Sequence, residues 1–118
     1  MQIEREQNRG RLSAAGQLPP EQAVELARAA LAQAQAERLD SLIIDFKDMS
    51  LTRNMTTTEC YGAGERLAGA GKGLRKVAFL ARPDCIEPHG FVFTVAFNRG
   101  LSVAHFEREA DALSWLVR

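Results

Sequence analysis

An excess charge of either sign, a long apolar run and paired cysteines are all missing from this chain. Fifteen Lys and Arg are cancelled by fifteen Asp and Glu, so no net field draws the protein to nucleic acid or to an anionic membrane surface. The densest apolar run, FVFTVAF (Phe91 to Phe97), falls far short of the roughly 20 residues that cross a bilayer, and no membrane span is expected. The opening MQIEREQ lacks the apolar stretch of a signal peptide. Cys60 and Cys85 stand far apart without a CxxC, which fits a reducing compartment and builds no disulfide framework. These gaps point to a cytoplasmic protein.

What is present is the make-up of an ordinary globular domain. Hydrophobic side chains are 46% and charged ones 25% of 118 residues, enough for one core and too few for two. Residues 1–118 are read as a single domain without internal repeats. IEREQ (Ile3 to Gln7) and RLSAAGQL (Arg11 to Leu18) flank NRG, whose Asn8 and Gly10 suit a tight turn, so a hairpin is expected. Its first strand is strongly charged and reads as a sheet edge.

PPEQAVELARAALAQAQAERLD predicts a helix, with Pro20 and Glu21 at its start and Val24, Ala27, Leu31 and Ala34 at helical spacing. SLIIDF (Ser41 to Phe46) has the pattern of a strand covered on both faces, hence central in a parallel or mixed sheet. A second helix is expected to begin among Thr56, Thr57 and Thr58, with Glu59 in its first turn. Its inner stripe is Cys60, Ala63, Leu67 and Ala70; Gly62, Gly64 and Gly69 weaken it, which close packing of its backbone would offset.

Lys76 to Ala81 reads as a third core strand, ended by Pro83. FVFTVAF has a strand's composition, yet Phe91, Val92, Val95 and Ala96 share one helical face. The alternation of strands and helices tips it to helix. Leu101 to Phe106 is the last strand, and EREADALSWLVR a closing helix with Ala110, Leu113, Leu116 and Val117 inward. The class is therefore α/β: a mixed, mostly parallel central sheet of about five strands flanked by about four helices.

Three segments carry a family likeness. LSAAGQLPPEQAVEL, LIIDFKDMS and VAHFEREADALSWL resemble the second strand and first helix, the central strand ending in aspartate (here Asp45), and the closing strand and helix of the STAS domain. That is the fold of anti-sigma-factor antagonists and of sulfate-transporter tails. The ending is especially similar to a sporulation-antagonist-like branch also compared with the CRAL-TRIO lipid-binding fold. In antagonist members the loop after the central strand carries a phosphorylated serine in an aspartate-serine-x-glycine context. Here that stretch reads LTRNMTTTEC. Counted from Asp45, the serine position falls near Asn54, with Arg53 in place of the aspartate. The resemblance thus implies a scaffold lacking the phosphoserine switch, since Ser50, Thr52 and Thr56 do not have the spacing.

Other residues invite chemistry. Thr56, Thr57 and Thr58 at a helix start would bind an anion or accept phosphate, or one would cap the helix while the others are solvated. The second reading is preferred, because helix starts select these residues anyway. Asp45 at a strand's carboxyl end suits an acid or base, or a carboxylate that orders the loop. Without a partner carboxylate, the structural role is favoured. DCIEPH gathers Asp84, Cys85, Glu87 and His89, the materials of a nucleophile or metal site, but no second ligand pair has metal spacing. His105 reads as a core or edge histidine. GAGERLAGAGKG is no phosphate loop: Arg66 stands where the first glycine belongs and Gly73 where the hydroxyl belongs. Arg66, Lys72, Arg75 and Lys76 read as solvated charges rather than a basic patch. The FVFTVAF phenylalanines, with Phe46, Phe79 and Phe106, either fill the core or line an apolar pocket.

The expectation is a non-catalytic STAS-like regulatory or protein-interaction module without cofactor or metal. Its contact face comprises Asp45, Ser50, Thr52, Arg53, Asn54, Thr56, Thr57 and Thr58. The alternatives are a domain binding a small apolar ligand or lipid near Phe91 to Phe97, and an enzyme using Cys85 and His89. Homodimerisation through a helix face is left open.

Overall fold

The computed structural model describes residues 3–118; Met1 and Gln2, at the head of the segment excluded as a signal peptide, lie outside them. The elements run β1 (Glu4–Glu6), β2 (Arg9–Leu18), α1 (Pro20–Ala36), β3 (Ser41–Leu51), α2 (Thr57–Ala70), β4 (Lys76–Leu80), α3 (Pro83–Asn98), β5 (Val103–Phe106) and α4 (Glu109–Leu116). The sheet order is β1-β2-β3-β4-β5, with β1 antiparallel to β2 and every other pair parallel. The expected mixed sheet with four helices forms, with the charged β1 at one edge and SLIIDF at the centre.

Sequential strand order fixes the layers. Each right-handed crossover steps the same way along the sheet, so α1, α2 and α3 stack on a single face. Their core takes Leu42, Ile44 and Phe46 from β3, together with Leu31, Leu67 and Val92. Helix α4 follows the edge strand and folds back over the opposite face, where Ala112 and Leu116 cover Ile43, Ala78 and Leu80.

Strand β3 continues to Leu51 instead of ending at Phe46. Its pairing with β2 slips between Ser13 and Ala15, which face Asp45 and Asp48, so β3 carries one extra residue there. Such a bulge reverses the facing of everything after it. Met49 is thereby buried and Leu51 packs against the three-helix core, while Asp48 is exposed. On the three-helix side the apolar residues fall at 42, 44 and 46, then at 49 and 51, a break in parity at the bulge that Ile43, apolar but on the other face, masks in the sequence.

Several local expectations shift. The hairpin turns at Gln7 and Asn8, with Gln7 at φ 55°. Gly10 instead lies inside β2, where a Cβ would come within 2.8 Å of Leu39 Cδ1. Helix α3 begins at Pro83, its first two turns absorbing DCIEPH, and Phe91 and Phe97 face solvent. In α4 the inward residues are Ala112 and Leu116, with Leu113 half-buried. Ala110 and Val117 are exposed, because the helix starts at Glu109 and its register follows from packing on β4 and β5.

Candidate functional site

The polar segment between β3 and α2 is short and tied at both ends. The Thr52 N–H donates to the Leu18 carbonyl at 2.9 Å, extending the sheet ladder by one bond. Thr56 caps α2: its hydroxyl accepts from the Glu59 N–H at 3.1 Å, and the Glu59 carboxylate accepts from the Thr56 N–H at 2.9 Å. This reciprocal pair satisfies two otherwise orphaned donors at the helix start. Arg53 closes over the cap with two bonds to the Glu59 carboxylate, 2.8 and 2.7 Å, and reaches Glu21 of α1 at 3.4 Å.

A third tie comes from α3. The Met55 N–H donates to His89 Nε2 at 3.0 Å, and His89 Nδ1 lies 2.8 Å from the Cys85 carbonyl. Nδ1 therefore carries the proton and Nε2 is the acceptor. His89 is only 5% exposed, so the bond is shielded from competing water. Sequence reasoning weighed His89 for catalysis or metal binding and missed this anchoring role. Nothing in EPHG announces a partner more than thirty residues away.

Arg53 first, and the Thr56 N–H second, hold the Glu59 carboxyl down to about 2 from its ordinary 4.5. A depressed carboxyl contributes above its unfolded value and loses that contribution as pH falls through the folded value. Amide protection at Thr56 and Glu59 is expected to decline, relative to core amides of β3, between about pH 4.5 and 2. Hydrogen exchange followed by NMR checks this. An unchanged profile in Glu59→Gln would contradict it.

The eight candidate residues do not form one cluster. Thr52, Arg53 and Asn54 are exposed in the loop, Thr56 is the exposed cap, and Thr57 and Thr58 are exposed in the first turn of α2. Ser50 lies within β3, paired with Gln17. Asp45 is not brought to the loop. Its carboxylate accepts from Arg11 at 2.6 Å and from the Lys47 N–H at 3.1 Å, and Arg11 also donates to Glu109 of α4 at 2.8 Å. Glu109 above all, with Asp45, stabilises the charged Arg11 guanidinium. Arg11, held by Asp45, ties α4 to the sheet.

Cys85 Sγ is 3.9 Å from His89 Nδ1, but that nitrogen already serves the Cys85 carbonyl. Burial, reinforced by Asp84, pushes the Cys85 thiol up, against formation of a nucleophilic thiolate. No group of three or more His, Cys, Asp or Glu able to hold a metal occurs among the described residues. No helix among them is long and apolar enough to cross a membrane.

Beneath the loop lies an apolar cavity of about 70 Å³, between the carboxyl ends of β3 and β4 and the helices α1 and α3. Of the phenylalanines at 91, 93 and 97, only Phe93 lines it, while Phe97 is 62% exposed. Beyond Pro20, Val24 and Met55, which border both spaces, a groove of about 420 Å³ runs between the starts of α1 and α2. Arg53, Arg66, Glu21 and Glu59 line it.

No family model and no curated protein matches the chain. Among solved structures, it is similar to the Bacillus cell fate determinant SpoIIAA in the phosphorylated form. The TM-score is 0.52 at 20% identity, over 99% of this chain and 98% of that one. The fold is STAS-like. At that identity the likeness is one of architecture, and function must be argued from the site. On this STAS-like scaffold the loop and the first turn of α2 stand at the carboxyl ends of the parallel strands.

Proposed function

We propose that this chain is a non-catalytic STAS-like regulatory module that binds a protein partner through the 52–59 loop and the first turn of α2. Residues 1–118 act as one cytoplasmic domain in this reading. The observation that carries it is a surface both exposed and already ordered. Thr52, Arg53, Asn54, Thr57 and Thr58 face solvent, while the capping box, the Arg53–Glu59 clasp and the His89–Met55 bond fix the backbone beneath them. A surface ordered in advance lowers the entropy lost on association. The likeness to SpoIIAA, a cell fate determinant by its description, supports a regulatory role.

Binding in this reading needs no phosphoserine switch. Asn54 stands near the position that the switch would occupy, and the Thr56 hydroxyl is committed to the helix cap. The test uses Asn54→Arg with Thr57→Arg, since neither side chain takes part in a hydrogen bond among the described residues. The double variant is expected to weaken capture of the partner from native extract by about tenfold or more. Val117→Arg, at the exposed residue that follows α4, should leave capture unchanged. Equal recovery by the loop variant and the wild type would rule this face out, and intact mass of the captured complex reports any phosphate.

A further inference from the structure

We infer that the cavity under the loop and the groove outside it form one binding site for a small uncharged amphiphile. Pro20, Val24 and Met55 belong to the walls of both spaces, so a ligand passing them has its two ends in different surroundings. The inner end meets Phe46, Met49, Phe79, Val92 and Phe93, an apolar lining that suits a hydrocarbon tail. Apolar cavities of about 150 Å³ admit benzene, so about 70 Å³ takes a shorter piece of a few carbons. Methionines at 49 and 55 supply an unbranched, adaptable wall.

The outer end fixes the head group. Arg53 and Arg66 share the groove with Glu21 and Glu59, and Arg53 is already paired with Glu59 and Arg66 with Glu25. An anion or a cation would meet as much repulsion as attraction there. A hydroxyl or amide finds both donors and acceptors without displacing an ion pair. Met55 links the site to the loop, since its side chain walls the cavity while its N–H is held by His89. Occupancy should therefore register at the Met55 amide. The site stands independently of the partner reading, because its test detects the ligand directly.

The full chain is titrated with straight-chain alcohols from propanol to octanol and followed by NMR. The expected result is affinity rising about fourfold per added methylene, then levelling once the tail has filled the cavity. Shifts should centre on the Met49 and Met55 methyls and the Met55 amide. Ala23→Leu, which fills the cavity from α1, is expected to abolish the dependence on chain length. Phe93→Leu, which enlarges it, should move the plateau to longer alcohols and keeps the test decisive if the first variant does not fold. A wild type indifferent to chain length would overturn the site and leave the cavity to an apolar side chain of a protein partner. So would the same plateau in wild type and both variants. Hexanoate or hexylamine binding tenfold tighter than hexanol would overturn the uncharged head.

Discussion

A Gly64→Ala chain is expected to melt on the order of 5–10 °C below the wild type. Gly64 lies on the face of α2 turned to α3, and a Cβ there would stand 2.6 Å from Val95 Cβ and 2.7 Å from the Val92 carbonyl oxygen. A rotamer change at Val95 would move its methyls but not its Cβ, and the Val92 carbonyl likewise belongs to the backbone of α3. The two helices must separate, loosening Leu67 and Val92, which share their core. Overpacking of this kind costs about 1–3 kcal/mol, which exceeds the fraction of a kcal/mol that alanine returns in helix propensity.

Gly62 and Gly69 supply the control. They were expected to share the close packing, yet a Cβ at either would meet nothing within 4 Å. Gly62→Ala and Gly69→Ala should each stabilise by about 0.5–1 kcal/mol. Thermal melts of the three single variants separate the effects by sign. A neutral Gly64→Ala would mean that α2 and α3 do not approach as described.

Removing the His89 ring is the second large effect. His89→Ala leaves the Met55 N–H without its acceptor in a half-buried site and empties space beside an existing cavity. The expected loss is about 2–4 kcal/mol. A packing defect alone would lower stability everywhere, whereas loss of the tie should raise hydrogen exchange at Met55 and across 52–56 well beyond the global change. His89→Gln carries an acceptor of similar reach and should restore part of the Met55 protection. If His89→Ala exchanged at Met55 no faster than at core amides, the tie would not be what orders the loop.

These two residues mark where sequence reading stops. Gly62, Gly64 and Gly69 look alike in GAGERLAGA, and only the crossing of α3 over α2 singles out Gly64. His89 sits in a segment whose composition suggested chemistry, and its partner lies on a different element. The candidate loop itself was legible, because a polar stretch with threonines before a helical stripe is a capping signal. Asp45, counted with the loop on nearness in sequence, points to the other face, because side chains alternate along a strand. The phenylalanines of FVFTVAF were legible as helix, but which of them face inward depends on where α3 meets β4 and β5.

By itself the sequence determined the order of strands and helices, the charged edge, the central buried strand and the Thr56 region as a helix start. Each of these rests on periodicity, propensity or capping, which act within a few residues. Only the tertiary structure decided the Gly64 contact, the His89–Met55 bond, the clamp of Asp45 and Arg11 on α4, and the cavity beneath the loop. Those depend on the distance and facing of elements far apart in the chain. Packing alone sets these, and no local pattern encodes them.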